Sequence, residues 1–99
     1  MHLEFTQSAT EDLLAISDYT LETWGEKQQD SYLDGVYAKF EEISDTPARY
    51  RFRNDLFPQC QIAKYGRHVI LFICEDELLT VVRVLHDAMD FKRHIPEEY

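Results

Sequence analysis

Apolar and polar positions alternate over residues 2–6, with Leu3 and Phe5 on one side and His2, Glu4 and Thr6 on the other. A period of two predicts a short, half-buried strand. From residue 9 the period lengthens. Ala9, Leu13, Ile16, Thr20 and Trp24 recur at three- and four-residue steps, and Leu14, Tyr19 and Leu21 widen the stripe. That is the pattern of an amphipathic helix. Ser8-Ala9-Thr10-Glu11 reads as a capping box at its start. Gly25, directly after Trp24, is placed to end it in a left-handed conformation. A second stripe of Gln29, Leu33, Val36, Tyr37, Phe40 and Ile43 predicts a helix over about 26–45, stopped by Pro47. Two helices meeting at one glycine predict an antiparallel hairpin.

Residues 48–58 show no period and mix basic with aromatic side chains. Three strands are predicted after them, over 59–65, 68–74 and 78–86, with turns at Gly66-Arg67 and at Glu75-Asp76-Glu77. The middle run, His68 to Cys74, is nearly all apolar, as expected of a central strand. Asp87 is placed to cap a short final helix over about 88–95, closed by Pro96. The predicted order is β-α-α-β-β-β-α. It describes an α+β domain in which the helical hairpin packs on an antiparallel sheet, with a short C-terminal helix. At 99 residues the chain suits a single domain over 1–99.

Charge refines this picture. The net charge is −9. Residues 1–48 hold eleven acids and two bases, whereas residues 49–99 hold eight of each. All of the net charge therefore lies on the helical hairpin. Such a surface repels phosphate backbones, so direct nucleic-acid binding is not expected. No apolar run approaches a membrane span. The start, Met1 to Phe5, has no basic segment followed by an apolar stretch, so no secretory leader is expected. Two cysteines do not make a disulfide framework, and a reducing cytoplasm is the expected compartment.

Candidate chemistry is sparse. Arg83 interrupts an apolar strand and by alternation shares a face with Leu79, Val81 and Leu85. Two readings stay open: bidentate binding of a phosphate or a partner's carboxylate, or an arginine lying over a wet sheet face and pairing locally. His86, Asp90 and His94 have ligand-like spacing, but a strand-to-helix junction between them breaks the alignment, and no metal or other cofactor is expected. His68, beside Arg67 at a hairpin turn, suits acid–base work or none. Ser8, Ser17, Ser31 and Ser44 lack a glycine-flanked elbow, and three glycines cannot build a phosphate-cradling loop. Cys60 and Cys74 are read as buried, inert thiols, facing each other across the sheet if the 66–68 turn has three residues. Arg49, Arg51 and Arg53, interleaved with Tyr50 and Phe52, suit single-stranded nucleic acid. The favoured reading has them tie this connection back onto the acidic hairpin.

Taken together, these residues resemble the ParE branch of the RelE/ParE toxin superfamily of type II toxin–antitoxin systems. The likeness runs through Asp12-Leu13, Ile16, Tyr19, Trp24-Gly25, Gln28, Tyr32-Leu33, Phe40-Glu41 and Pro47. It is densest in His68-Val69-Ile70, in Arg83-Val84-Leu85-His86, and in Met89-Asp90 with Arg93-His94. The resemblance implies a cytoplasmic, non-catalytic toxin that inhibits growth by binding DNA gyrase. It also implies a ParD-like antitoxin whose flexible C-terminal region orders on the toxin. On that basis Leu13, Tyr19, Trp24, Tyr32 and Arg83 are the expected antitoxin contacts, and Arg67, His68, His86, Asp90 and Arg93 the expected target contacts. Two alternatives accompany it. One is a RelE-like ribosome-dependent mRNA endonuclease drawing on Arg67, His68, Arg83, His86 and Tyr99. The other is an inactive homologue that retains only antitoxin binding.

Overall fold

The computed structural model describes all 99 residues. Strand β1 (His2–Phe5) runs into helix α1 (Gln7–Trp24), which turns at Gly25 into helix α2 (Glu26–Asp45). A 3-10 turn at Pro47–Arg49 and an irregular connection lead to β2 (Gln61–Tyr65), β3 (His68–Glu75) and β4 (Leu78–His86). The four strands form one sheet in the order β1-β4-β3-β2. This is the α+β fold that the period changes predict, with three departures.

The first concerns strand direction. β2, β3 and β4 pair antiparallel, but β1 pairs parallel to β4, so the sheet is mixed. The meander steps from the far edge back toward β1, and its third strand lands beside β1 pointing the same way. Tight turns specify only neighbours in sequence; the strand before the hairpin takes its direction from the packed whole.

The second concerns the start of α1. The cap is Thr6, not Ser8: Thr6 Oγ1 accepts from the Ala9 N–H at 3.0 Å and donates to the Val82 carbonyl at 2.7 Å. Thr6 N also donates to the Val81 carbonyl at 3.1 Å, so one residue closes the parallel ladder and opens the helix. Ser8 and Glu11 are already helical, and Glu11 accepts from Gln7 Nε2 instead. Gly25, at φ 91 and ψ 172, has the expected positive φ but an extended ψ, a conformation essentially confined to glycine.

The third is the C-terminal helix, which is only a 3-10 turn at Phe91–His94. Phe91 and Ile95 are drawn onto the sheet face opposite the hairpin, where they pack against Phe57, Cys60, Val69, Leu71, Val82 and Leu85. A flat segment covers that face better than a helix does. Asp87 is not a helix cap there; it pairs with Lys64 at 3.6 Å.

The main core lies between hairpin and sheet. It joins Ala9, Leu13 and Ile16 of α1 to Val36, Phe40 and Ile43 of α2, over Ala63, Ile70, Phe72, Leu79, Val81 and Val84. β3 is buried on both faces, which is why its sequence is almost continuously apolar. Cys60 and Cys74 are free thiols on opposite faces, the first in the second core and the second against the main one. The turn between β2 and β3 holds two residues, with Tyr65 paired to His68, so the cysteines are not opposite each other.

The 48–58 connection is held by a different residue than expected. Buried Gln61 donates from Nε2 to the carbonyls of Pro47 and Tyr50, and the backbones of Arg51 and Arg53 bond β2 and the residue before it. Arg53 pairs locally with Asp55, while Arg49 and Arg51 are exposed and make no ion pair with the hairpin.

Candidate functional site

At the Gly25 end of the hairpin, the last turns of α1 and the first of α2 lean over the β2–β3 turn and the end of β4. They enclose a cleft of about 630 Å³. Tyr19, Thr20 and Trp24 come from α1, Gln28 and Tyr32 from α2, Arg67 and His68 from the turn and the start of β3, and His86 from the end of β4. A second hollow of about 340 Å³ continues it past Asp12, Ile16, Val84 and Met89, sharing Tyr19, His68 and His86. The two make one channel between hairpin and sheet.

Its floor is a hydrogen-bonded cluster. Gly66, at φ 56, makes the tight turn, and a Cβ there would lie 2.7 Å from the Tyr32 hydroxyl. That close approach sets Tyr32 Oη 3.4 Å from the Arg67 N–H and 2.6 Å from His68 Nδ1. The phenol accepts from the Arg67 N–H, and its own hydrogen is within reach of both His68 Nδ1 and the Tyr65 carbonyl, 3.3 Å away. Burial, reinforced by neighbouring His86, lowers the His68 pKa and so favours its neutral ring. Burial also raises the Tyr32 phenol.

His86 has a backbone donor of its own. It pairs with His68 across the strands, the rings 5.7 Å apart. Its Nδ1 lies 3.1 Å from the Ala88 N–H and 3.4 Å from Asp87 Oδ1. The obligate amide donor decides: Nδ1 accepts, the hydrogen sits on Nε2, and the Asp87 contact is no ion pair in that state.

Arg83 is not part of the cleft. A bulge in β4 sets Leu71 opposite Arg83 and Phe72 opposite Val81, leaving Val82 without a partner. The extra residue breaks alternation. Leu79 and Val81 join the main core and Leu85 the opposite one, so the shared face expected from spacing does not exist. Nor is that face wet. Arg83 reaches Asp12 on α1 through Nε at 2.8 Å and Nη2 at 2.6 Å, and donates from Nη1 to the His94 carbonyl at 2.8 Å. This pairing raises the guanidinium pKa.

Of the expected contacts, Tyr19, Trp24, Tyr32, Arg67, His68 and His86 meet in the cleft, so the two sets drawn from the sequence share one site. Leu13 is in the core, and Asp90 and Arg93 are exposed on the C-terminal segment, outside both hollows. Sequence chemistry does not single out Asp12, yet it is an acid on the buried side of α1, between Ala9 and Ile16, which is a legible signal. Cys60 is pushed up to about 12 by burial and is no nucleophile. No three His, Cys, Asp or Glu side chains are grouped to hold a metal ion.

The family model for the ParE toxin of the type II toxin–antitoxin system parDE matches residues 3–91. The chain belongs to the ParE toxin family. Among solved structures it is similar to a chromosomal ParDE toxin–antitoxin system from P. aeruginosa. That match has a TM-score of 0.73 and 16% identity, covering 87% of this chain and 95% of the other. It is also similar to the RelBE2 toxin–antitoxin complex from Mycobacterium tuberculosis. There the TM-score is 0.56 and the identity 24%, covering 86% and 95%. These likenesses establish the shared fold. No curated protein sequence matches. Within this ParE family member, no helix is long and apolar enough to cross a membrane.

Proposed function

We propose that this chain is a growth-inhibiting toxin that acts in the cytoplasm by binding a cellular target, without catalysis. DNA gyrase is the target that the family resemblance favours. A ParD-like antitoxin, ordering a flexible C-terminal segment along the hairpin, neutralises it. The observation that carries this reading is the open channel with aromatic walls. Tyr19 and Trp24 are 64% and 68% exposed at its rim. Large exposed aromatics beside an apolar hollow act as anchors for a protein partner. The similar solved structures, both described as toxin–antitoxin assemblies, support the same kind of partner.

The gathering of Arg67, His68 and His86 in one cleft favours a second reading, ribosome-dependent mRNA cleavage. Against it, Arg83 is held by Asp12, and the net charge of −9 opposes docking on phosphate-rich surfaces.

Induced expression separates the two. Gyrase blockade gives a DNA-damage response in cells and loss of supercoiling activity with purified protein. Messenger RNA cleavage gives immediate translation arrest with cut transcripts. Co-expression of the antitoxin encoded beside this gene relieves growth arrest in the first reading, and Trp24→Ala weakens that relief. An arrest that no neighbouring gene product relieves overturns the antitoxin assignment.

A further inference from the structure

The cleft has a chemical character that sets it apart from the rest of the surface. The chain carries 19 acids, yet none of the eight residues lining the cleft is acidic. What lines it are donors. His86 Nδ1 accepts from the Ala88 N–H, which leaves its hydrogen on Nε2, and His68 Nδ1 is engaged by the Tyr32 hydroxyl. Neither Nε2 has a protein partner; half-buried His68 leaves no buried nitrogen unsatisfied, and His86 is an exposed residue, so both are open to solvent. The Arg67 guanidinium is exposed and makes no side-chain ion pair or hydrogen bond. Beside these donors stand the exposed rings of Tyr19 and Trp24.

We propose that this cleft is a carboxylate-anchoring subsite for a protein partner, taking an Asp or Glu side chain of an extended or helical segment on Arg67 and the His86 Nε2–H, with an adjacent apolar side chain against Trp24 and Tyr19. The inference rests on the partner-binding reading above and adds the chemistry of the contact. Guanidinium and N–H donors at the rim of an apolar hollow suit one anion desolvated among apolar contacts. A polyanion is a poorer occupant. Arg67 is the one full cation in the lining, and each further phosphate meets the repulsion of a chain at −9.

Trp24 is the only tryptophan, so its fluorescence reports on the cleft directly. A random peptide library with blocked termini is selected on the folded chain, and the enriched peptides are titrated against Trp24 emission. The expected result is that enriched peptides share an acid flanked by apolar or aromatic residues and change that emission. Replacing the acid by its amide, or making Arg67→Gln, weakens binding by at least about tenfold. Arg67→Lys retains part of it. Arg67 makes no side-chain contact, and circular dichroism checks that its variants stay folded. Four results overturn the proposal: no enrichment; enriched peptides without acids; binding indifferent to Arg67→Gln; or displacement of the peptide by a short oligonucleotide or inorganic phosphate at equal concentration. Because the readout is binding by the isolated chain, it fails independently of the toxin assignment. Absent growth inhibition with intact acidic-peptide binding sinks that reading alone.

Discussion

Arg83 and Asp12, 71 residues apart, form a two-bond ion pair at the edge of the sheet where β1 ends, with side chains 19% and 13% exposed. The same carboxylate accepts the Val84 N–H at 2.9 Å, satisfying an edge donor that β1 is too short to reach. One aspartate thus holds helix, strand edge and, through Arg83, the C-terminal segment. Removing it strands a half-buried cation and a backbone N–H. Asp12→Ala is expected to destabilise the fold by about 3 kcal/mol. A double-mutant cycle with Arg83→Ala, read by urea denaturation, should return a coupling of at least about 1.5 kcal/mol. Strict additivity of the two variants would show that the pair is not a structural unit. Arg83→Ala is accordingly a poor probe of partner binding, because it loosens the C-terminal segment as well.

Gly35 lies inside α2, where glycine costs about 1 kcal/mol against alanine. A Cβ there would run into the hydroxyl and ring of Tyr65. Tyr65 in turn packs edge-on against Tyr32 at the floor of the cleft, with centroids 5.2 Å apart. Gly35→Ala should therefore destabilise by about 1–3 kcal/mol despite its helical preference. Adding Tyr65→Ala should remove most of the penalty specific to residue 35. If Gly35→Ala alone raises the melting temperature, the close approach of Tyr65 is wrong.

The β3–β4 turn places Asp76 and Glu77 at φ 47 and 66, the signs of a type I′ hairpin turn built without glycine. The double substitution Asp76→Asn with Glu77→Gly should stabilise the fold by about 1 kcal/mol, because both new residues suit a positive φ. The measurement is a shift in urea midpoint with an unchanged slope; an unchanged or lower midpoint counts against the turn type.

His68 makes stability depend on pH in a defined direction. Burial lowers its pKa below the usual value of 6.5, so the unfolded chain binds the proton more readily than the folded one. Its contribution is complete above the unfolded pKa and is lost as pH falls through 6.5 toward the lower folded value. Below that value no further change comes from this group. His68→Gln should flatten the stability profile in this window relative to wild type. A wild-type profile that stays flat there, while other histidines are held constant, would falsify the neutral His68–Tyr32 pair.

Local patterns in the chain account for most of the secondary structure. Helix α2 and the three C-terminal strands follow from period changes and punctuation, with β2 starting two residues later than expected, because helical and extended periods report which side of a segment is buried. The central place of β3 was legible for the same reason: only a strand covered on both faces tolerates so long an apolar run. Polarised charge was legible too, since acids on a helix hairpin face outward wherever the apolar stripe faces in. The sequence alone thus determined the order of elements, the hairpin, and the family resemblance.

Tertiary structure decided the rest. The parallel direction of β1, the Thr6 cap shared with Val82, and the collapse of the last helix onto the second core all depend on partners far away in the chain or on a face needing cover. The bulge at Val82 is the sharpest case. One unpaired residue moves every following side chain to the other face, and no alternation rule can detect it from within the strand. That single insertion separates Leu79 and Val81 from Leu85. The pairing of Arg83 with Asp12 likewise awaited the packed structure, as did the meeting of Tyr32, Arg67, His68 and His86 in one cleft. Periodicity is a property of neighbours along the chain, whereas a site is a property of surfaces brought together by packing.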